Sequence, residues 1–336
     1  MDLVVIPENP VPPGAVPARL RAVDGVPLRA VRWHPAGAAR GTVVIAPGRA
    51  EYVEKYFETV GDLLARGLVV VVFDWRGQGM SGRELDDRRK GHIDDFSLYE
   101  RDLDSVIDQV LEPFCPKPWF AIGHSMGGAI LIAQARKGAS PFERLVLTAP
   151  MIGLRDLRFP TGARMLAGAL DMVGAGGAFV PRARKNPYPL VTPFEGNVLT
   201  SDPVRYARMG AMLRAAPHLG IGDPTIGWVN AAFRLMDRFV DPEYARRTLT
   251  PTLVVAAGHD RVVDTGATEV FASRLKAGRL LVLDHASHEI LMERDVFRER
   301  FFAAFDAFVP GQREEYAALV MADRVIKTSR KRWAWV

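Results

Sequence analysis

The chain has almost no cysteine: Cys115 is the only one in 336 residues. That excludes an intramolecular disulfide framework and a thiolate-held metal cluster, and makes a reducing compartment the expected home. It also lacks a dominant sign of charge. Against 44 basic residues stand 39 acidic ones, a formal net charge of +5, which is a mixed surface rather than one built for nucleic acid. No stretch reaches the roughly 18 consecutive apolar residues of a membrane-spanning helix. Residues 1–14 have no basic start and no apolar core, and Pro10, Pro12 and Pro13 break up any helix, so no secretory signal is expected there. These absences together point to a cytoplasmic globular protein.

What is present is apolar material in an ordered rhythm. Hydrophobic residues make up 48% of the chain, enough for a substantial core. Short aliphatic and β-branched runs at residues 43–46, 68–74, 119–123, 144–148, 252–256 and 279–283 alternate with amphipathic segments at 53–66, 97–111, 126–137, 268–275 and 293–308. This is the pattern of an α/β fold, a mostly parallel central sheet flanked by helices. The run at 68–74 shows no polar alternation, as in a strand buried on both faces. Residues 19–23 and 28–33 flank Asp24 and Gly25 as an edge hairpin would.

Between residues 150 and 241 the rhythm stops. Glycine-rich and proline-rich stretches and helical segments follow one another without a central strand. A helical insertion is therefore expected in a core made of residues 1–149 and 242–310. Residues 311–336 read as a last helix and a basic tail, in which Lys327, Arg330, Lys331 and Arg332 precede Trp333 and Trp335. Such a tail has two readings, a solvated or self-docked terminus or peripheral contact with a membrane surface.

Gly123, His124, Ser125, Met126 and Gly127 spell G-x-S-x-G where a predicted strand meets a predicted helix. A nucleophile elbow needs glycines around a serine in so tight a turn, with the hydroxyl exposed above the sheet. A serine hydroxyl is a poor nucleophile at neutral pH, so it requires a histidine to take its proton and an acid to orient that histidine. In chain order the acid comes next and the histidine last. Asp260 and Asp264 both follow the strand at 252–256, and Asp260 is nearer the strand end, where ligand chemistry gathers in open α/β sheets. His285 and His288 both follow the strand at 279–283, and the longer loop lets His288 reach over the sheet edge. His124, inside the elbow, is expected to point away from the serine, and His34, His92, His218 and His259 show no spacing of a metal or base role.

An oxyanion hole needs two backbone N–H donors. Met126, just after the serine, is one; the loop from Pro47 to Glu51, after the strand at 43–46, supplies the other, with Arg49 the candidate. The Arg49 side chain has two readings, contact with an anionic headgroup or a salt bridge to a nearby carboxylate. Gly77, Gly79 and Gly82 also satisfy G-x-G-x-x-G after a buried strand. The charged residues 83–90 lack the apolar stripe of the helix that dinucleotide binding requires, so a constrained loop beside the site is the expectation.

Taken together, Pro47-Gly48-Arg49-Ala50-Glu51, Asp74-Trp75-Arg76-Gly77-Gln78-Gly79, Gly123-His124-Ser125-Met126-Gly127-Gly128, Asp260 with Arg261-Val262-Val263-Asp264, and His288-Glu289-Ile290-Leu291 resemble the lysophospholipase and monoacylglycerol lipase branch of the α/β-hydrolases. The likeness spans about residues 20–308 and is strongest to the bacterial lysophospholipase L2 type, which also begins its oxyanion loop with Pro-Gly rather than His-Gly. It implies the α/β-hydrolase fold with a helical lid, Ser125 as nucleophile, Asp260 as acid, His288 as base, and N–H donors at Arg49 and Met126. The implied reaction is hydrolysis of a small-molecule or lipid ester with no cofactor and no metal. An esterase or peptidase for a non-lipid substrate, or an acyltransferase, would use the same groups. Met165, Leu166, Leu170, Met172, Val173 and Phe179 in the insertion have two readings, the lining of an acyl-chain pocket or the lid's own core.

Overall fold

The computed structural model describes residues 3–138, 140–155 and 160–309. Its centre is an eight-stranded sheet: β1 (Val16–Arg21), β2 (Pro27–Trp33), β3 (Thr42–Ala46), β4 (Val69–Asp74), β5 (Trp119–His124), β6 (Arg144–Thr148), β7 (Thr252–Ala257) and β8 (Gly278–Leu283). The spatial order is β1-β2-β4-β3-β5-β6-β7-β8. β3 to β8 run parallel, and the hairpin β1–β2 joins antiparallel at β4. β3, β4, β5 and β7 are buried at every position, which is why their sequences are continuous β-branched and aliphatic runs.

The chain steps outward from β3 to β4 and then returns to place β5 on the other side of β3. The order therefore reverses at β3, and the loops after β3 and β5 border the crevice that such a reversal opens. The helix Met126–Ala135, buried along its whole length, packs on β3, β5 and β6. The segment expected as a helix at 53–66 divides into a 3₁₀ turn, Val53–Tyr56, and an α-helix, Phe57–Ala65. The Asp74 carboxylate at the end of β4 accepts from the Val53 N–H at 2.9 Å and pairs with buried Arg29.

Between β6 and β7 no described residue joins the sheet. This segment carries the helices Pro160–Leu170, Pro203–Ala215 and Ile226–Val240, the last two capped by the side chains of Asp202 and Thr225. Arg205 fixes it to the core, donating to Glu58 at 3.0 Å, to Asp295 at 2.7 Å and to the Glu293 carbonyl at 3.0 Å. A second attachment is His92, whose Nδ1 lies 2.8 Å from Thr225 Oγ1. The tail expected at residues 311–336 lies outside the described residues. Among those described, no helix is long and apolar enough to cross a membrane.

Candidate active site

Ser125 sits between β5 and the helix Met126–Ala135 with φ +50° and ψ −113°, a conformation that few side-chain-bearing residues adopt and that persists only where the surroundings enforce it. They do so here. The Ser125 N–H donates to the Thr148 carbonyl at 3.0 Å, and its own carbonyl accepts from Met151 at 3.0 Å. A Cβ at Gly123 would come within 2.9 Å of the Gly128 backbone nitrogen, and one at Gly127 within 2.6 Å of the Pro47 carbonyl oxygen. The glycines are thus required by the closeness of strand, helix and the loop after β3.

The loops after β7 and β8 bring the acid and base candidates together. His288 Nδ1 lies 2.8 Å from Asp260 Oδ2, and Asp260 Oδ1 accepts from the N–H groups of Val262 at 2.7 Å and Val263 at 2.9 Å. Burial pushes the Asp260 pKa up, but the charge and hydrogen bond of His288 and the two N–H groups outweigh it and hold it below its ordinary value. Burial likewise pushes His288 down, and Asp260 outweighs it, leaving the imidazole raised. Asp264 does different work, capping the helix Thr265–Arg274 through the Ala267 N–H at 3.0 Å. His285 is exposed at a positive φ on the turn before His288.

Met126 is the first residue of its helix, so its N–H has no intrahelical acceptor. In the opposite loop the Gly48 N–H is taken by the Glu51 carboxylate and the Ala50 N–H by Gln78 Oε1. That leaves the Arg49 N–H between them without an acceptor among the described residues. Gln78 Nε2 also donates to the carbonyls of Gly48 at 2.8 Å and Glu51 at 3.1 Å, and Trp75 Nε1 donates to Pro47 at 2.8 Å. The glycine-rich turn after β4 is therefore a brace for the loop after β3. Gly79, at φ +54°, packs directly against the Asp74 carboxylate, and no helix begins at Gly82.

Behind the loop, Lys55 bridges Glu51 at 2.7 Å and Glu289 at 2.6 Å. Burial raises Glu51, but Lys55 and His124 outweigh it and bring it down to about 2, while burial keeps Glu289 above its usual range. The His124 ring lies 4.9 Å from that of His288 and borders the same cavity. Its Nδ1 lies 3.1 Å from the Thr148 carbonyl oxygen, and burial lowers its pKa to about 4, so it is a neutral neighbour at physiological pH. Glu84, His92 and Asp94 come close enough to hold an ion, but both His92 nitrogens are already engaged, by Thr225 and Asp94.

Ser125 and His288 open into one cavity of about 330 Å³. Its apolar wall includes Met151, Leu154, Leu199, Met209, Leu213 and Val229. The pocket reading of the insertion is corrected on this point. None of Met165, Leu166, Leu170, Met172, Val173 and Phe179 borders the cavity. Met165, Leu166, Met172 and Val173 are 71%, 55%, 88% and 77% exposed. The helix Pro160–Leu170 turns its alanine face, Ala163 and Ala167, inward and packs on the helix Ile226–Val240, which carries residues 165 and 166 to the outside. Leu170 and Phe179 are half-buried elsewhere, Phe179 beneath Lys90.

A family described as serine aminopeptidase, S33 (Hydrolase_4) matches residues 37–295. The chain belongs to the S33 family. It is 35% identical over 297 residues to lysophospholipase L2 of Escherichia coli, covering 84% of this chain and 83% of that one. A monoacylglycerol lipase of Mycolicibacterium smegmatis is 25% identical over 81% of this chain and 89% of its own. Among solved structures, monoglyceride lipase of Saccharomyces cerevisiae superposes with a TM-score of 0.69 at 19% identity, over 87% of this chain and 95% of that one. This S33 member has the α/β-hydrolase fold and is a carboxylic ester hydrolase.

Proposed function

We propose that the protein hydrolyses single-chain lipid esters, lysophospholipids or monoacylglycerols, by way of an acyl-enzyme on Ser125. The observation that carries this reading is the Asp260–His288 pair at 2.8 Å, buried beside a cavity into which the strained Ser125 opens. Asp260 holds the His288 proton on Nδ1, leaving Nε2 free to accept the Ser125 proton as the oxygen attacks the ester carbonyl. The N–H groups of Arg49 and Met126 receive the developing oxyanion. His288 then protonates the leaving alcohol, and water repeats the sequence to release the fatty acid. The size of the cavity and its methionine and leucine wall suit one acyl chain, and the segment between β6 and β7 serves as its lid.

Ser125→Ala tests this. Turnover of a short p-nitrophenyl ester and of a monoacylglycerol should fall by about 10⁴-fold or more, with an unchanged thermal transition and no labelling by a fluorophosphonate. Full activity in that variant removes the proposal. The family's description also admits aminopeptidase chemistry; faster cleavage of an aminoacyl anilide than of any acylglycerol would favour that reading instead.

A further inference from the structure

Among the described residues, the charges that border the cavity are matched with one exception. Lys55 is shared by Glu51 and Glu289, Arg184 holds Asp223 at 3.0 Å, and Asp260 holds His288. Arg49 has no carboxylate within ion-pair distance among the described residues. Its Nη2 donates to the Gly222 carbonyl at 2.9 Å, and its guanidinium carbon lies 5.1 Å from the centre of the Trp228 ring. Nε is buried without a hydrogen-bond partner, and Nη1 donates to no described residue.

An arginine fork left half-used against an aromatic ring is the geometry that receives a planar or tetrahedral oxyanion. Burial lowers its pKa to about 10, so it keeps its charge at neutral pH while bearing a desolvation cost that an anion would offset. Asp223 does not fill this place, because Arg184 takes both of its oxygens, at 3.0 and 3.2 Å.

We propose that Arg49 is a specificity-determining residue that binds a phosphate on the alcohol side of the scissile ester, so that the cavity takes phosphate-bearing monoacyl esters in preference to neutral ones. The inference rests on the reading of Ser125 and the oxyanion loop given above. One residue then measures the substrate. Its backbone N–H meets the ester oxygen, and the several single bonds of its side chain separate that N–H from the guanidinium held at Gly222 and Trp228. The glycerol that joins an ester to a phosphate has a comparable number of single bonds. Gly222 and Trp228 belong to the lid segment, so a phosphate held there also ties the lid to the loop after β3.

The test compares a short-chain 1-acylglycerol 3-phosphate with the 1-acylglycerol of the same chain, both below their micelle concentrations, in the wild type, Arg49→Met and Arg49→Lys. The ratio of kcat/KM values, phosphate over neutral, should fall by roughly 10- to 100-fold in Arg49→Met, as expected for a lost charge-assisted fork, and be partly restored in Arg49→Lys. Glycerol 3-phosphate should inhibit the wild type competitively and Arg49→Met much more weakly. An unchanged ratio, or glycerol 3-phosphate acting equally on both proteins, overturns the proposal. So does Arg49-dependent inhibition by a free fatty acid without any by glycerol 3-phosphate, since the guanidinium would then hold the acyl product. Calorimetric titration of glycerol 3-phosphate into the wild type and Arg49→Met needs no turnover. Arg49-dependent heat there, together with an active Ser125→Ala enzyme, would sink the catalytic reading alone.

Discussion

Replacing Asp260 by Asn changes the site in two measurable ways. The carboxylate accepts three hydrogen bonds, from His288 Nδ1 at 2.8 Å and from Val262 and Val263 at 2.7 and 2.9 Å. An asparagine keeps one oxygen for the two backbone donors and turns its NH₂ toward His288, which forces Nδ1 to accept. The imidazole proton then resides on Nε2, the atom that must take the Ser125 hydrogen. A base in the wrong tautomer loses about 10⁴ in kcat, about 5 kcal/mol of barrier. The second change is in pH dependence. Burial alone lowers the His288 pKa, and it is Asp260 that lifts it above 6.5; without that charge the pKa falls. Activity requires neutral His288, so the acidic limb of the kcat/KM profile should move to lower pH while the plateau drops. Stability follows the same linkage. The raised His288 stabilises the fold below its unfolded pKa, a contribution lost as pH rises through the folded value. The lowered Asp260 contributes above its unfolded pKa, and that contribution is lost as pH falls through the folded value. Initial rates on p-nitrophenyl butyrate between about pH 5 and 9 test the argument. A loss under tenfold with the limb unmoved, or a larger loss in Asp264→Asn, would refute it.

Gln78→Leu removes three hydrogen bonds to the loop after β3 and leaves buried backbone groups unpaired, so kcat should fall by roughly 10- to 100-fold while KM for a short ester moves little, at a stability cost of about 1–3 kcal/mol in urea unfolding. Met172→Ser changes a side chain that is 88% exposed; it should leave stability within about 0.5 kcal/mol and the chain-length profile as it was. Leu213→Trp, in the cavity wall, should shift that profile toward shorter acyl chains, as read from rates on a series of monoacylglycerols.

The parallel strands were legible because burial on both faces leaves no room for polar alternation: Val69–Asp74 and Thr252–Ala257 announce themselves by composition. The elbow was legible because Gly123 and Gly127 answer a local steric demand. The distance of Asp260 and Asp264 from the strand end separated them in sequence, and the helix cap made by Asp264 separates them in space. Less local features did not show. An apolar residue in a helix reports burial somewhere, but Met165 and Leu166 lie on a helix that rests on another helix through alanines, and only the packing decides which face turns in. Gln78 and Trp75 act on residues about 30 positions away across two strands, so their motif marked a constrained loop without revealing what it constrains. The ring of His124 is turned by Thr148 on the neighbouring strand, which no spacing within the elbow encodes.

In the mechanism proposed above, the nucleophile comes from a central strand, whereas its acid and base hang from the two strands added last at one edge of the sheet. During synthesis the reactive serine therefore leaves the ribosome long before the groups that activate it. Until β8 and its loop have emerged and docked, a growing or C-terminally clipped chain has a hydroxyl no more reactive than that of any other serine. On the proposed mechanism, the order of translation thus keeps the ester hydrolase silent while it is incomplete.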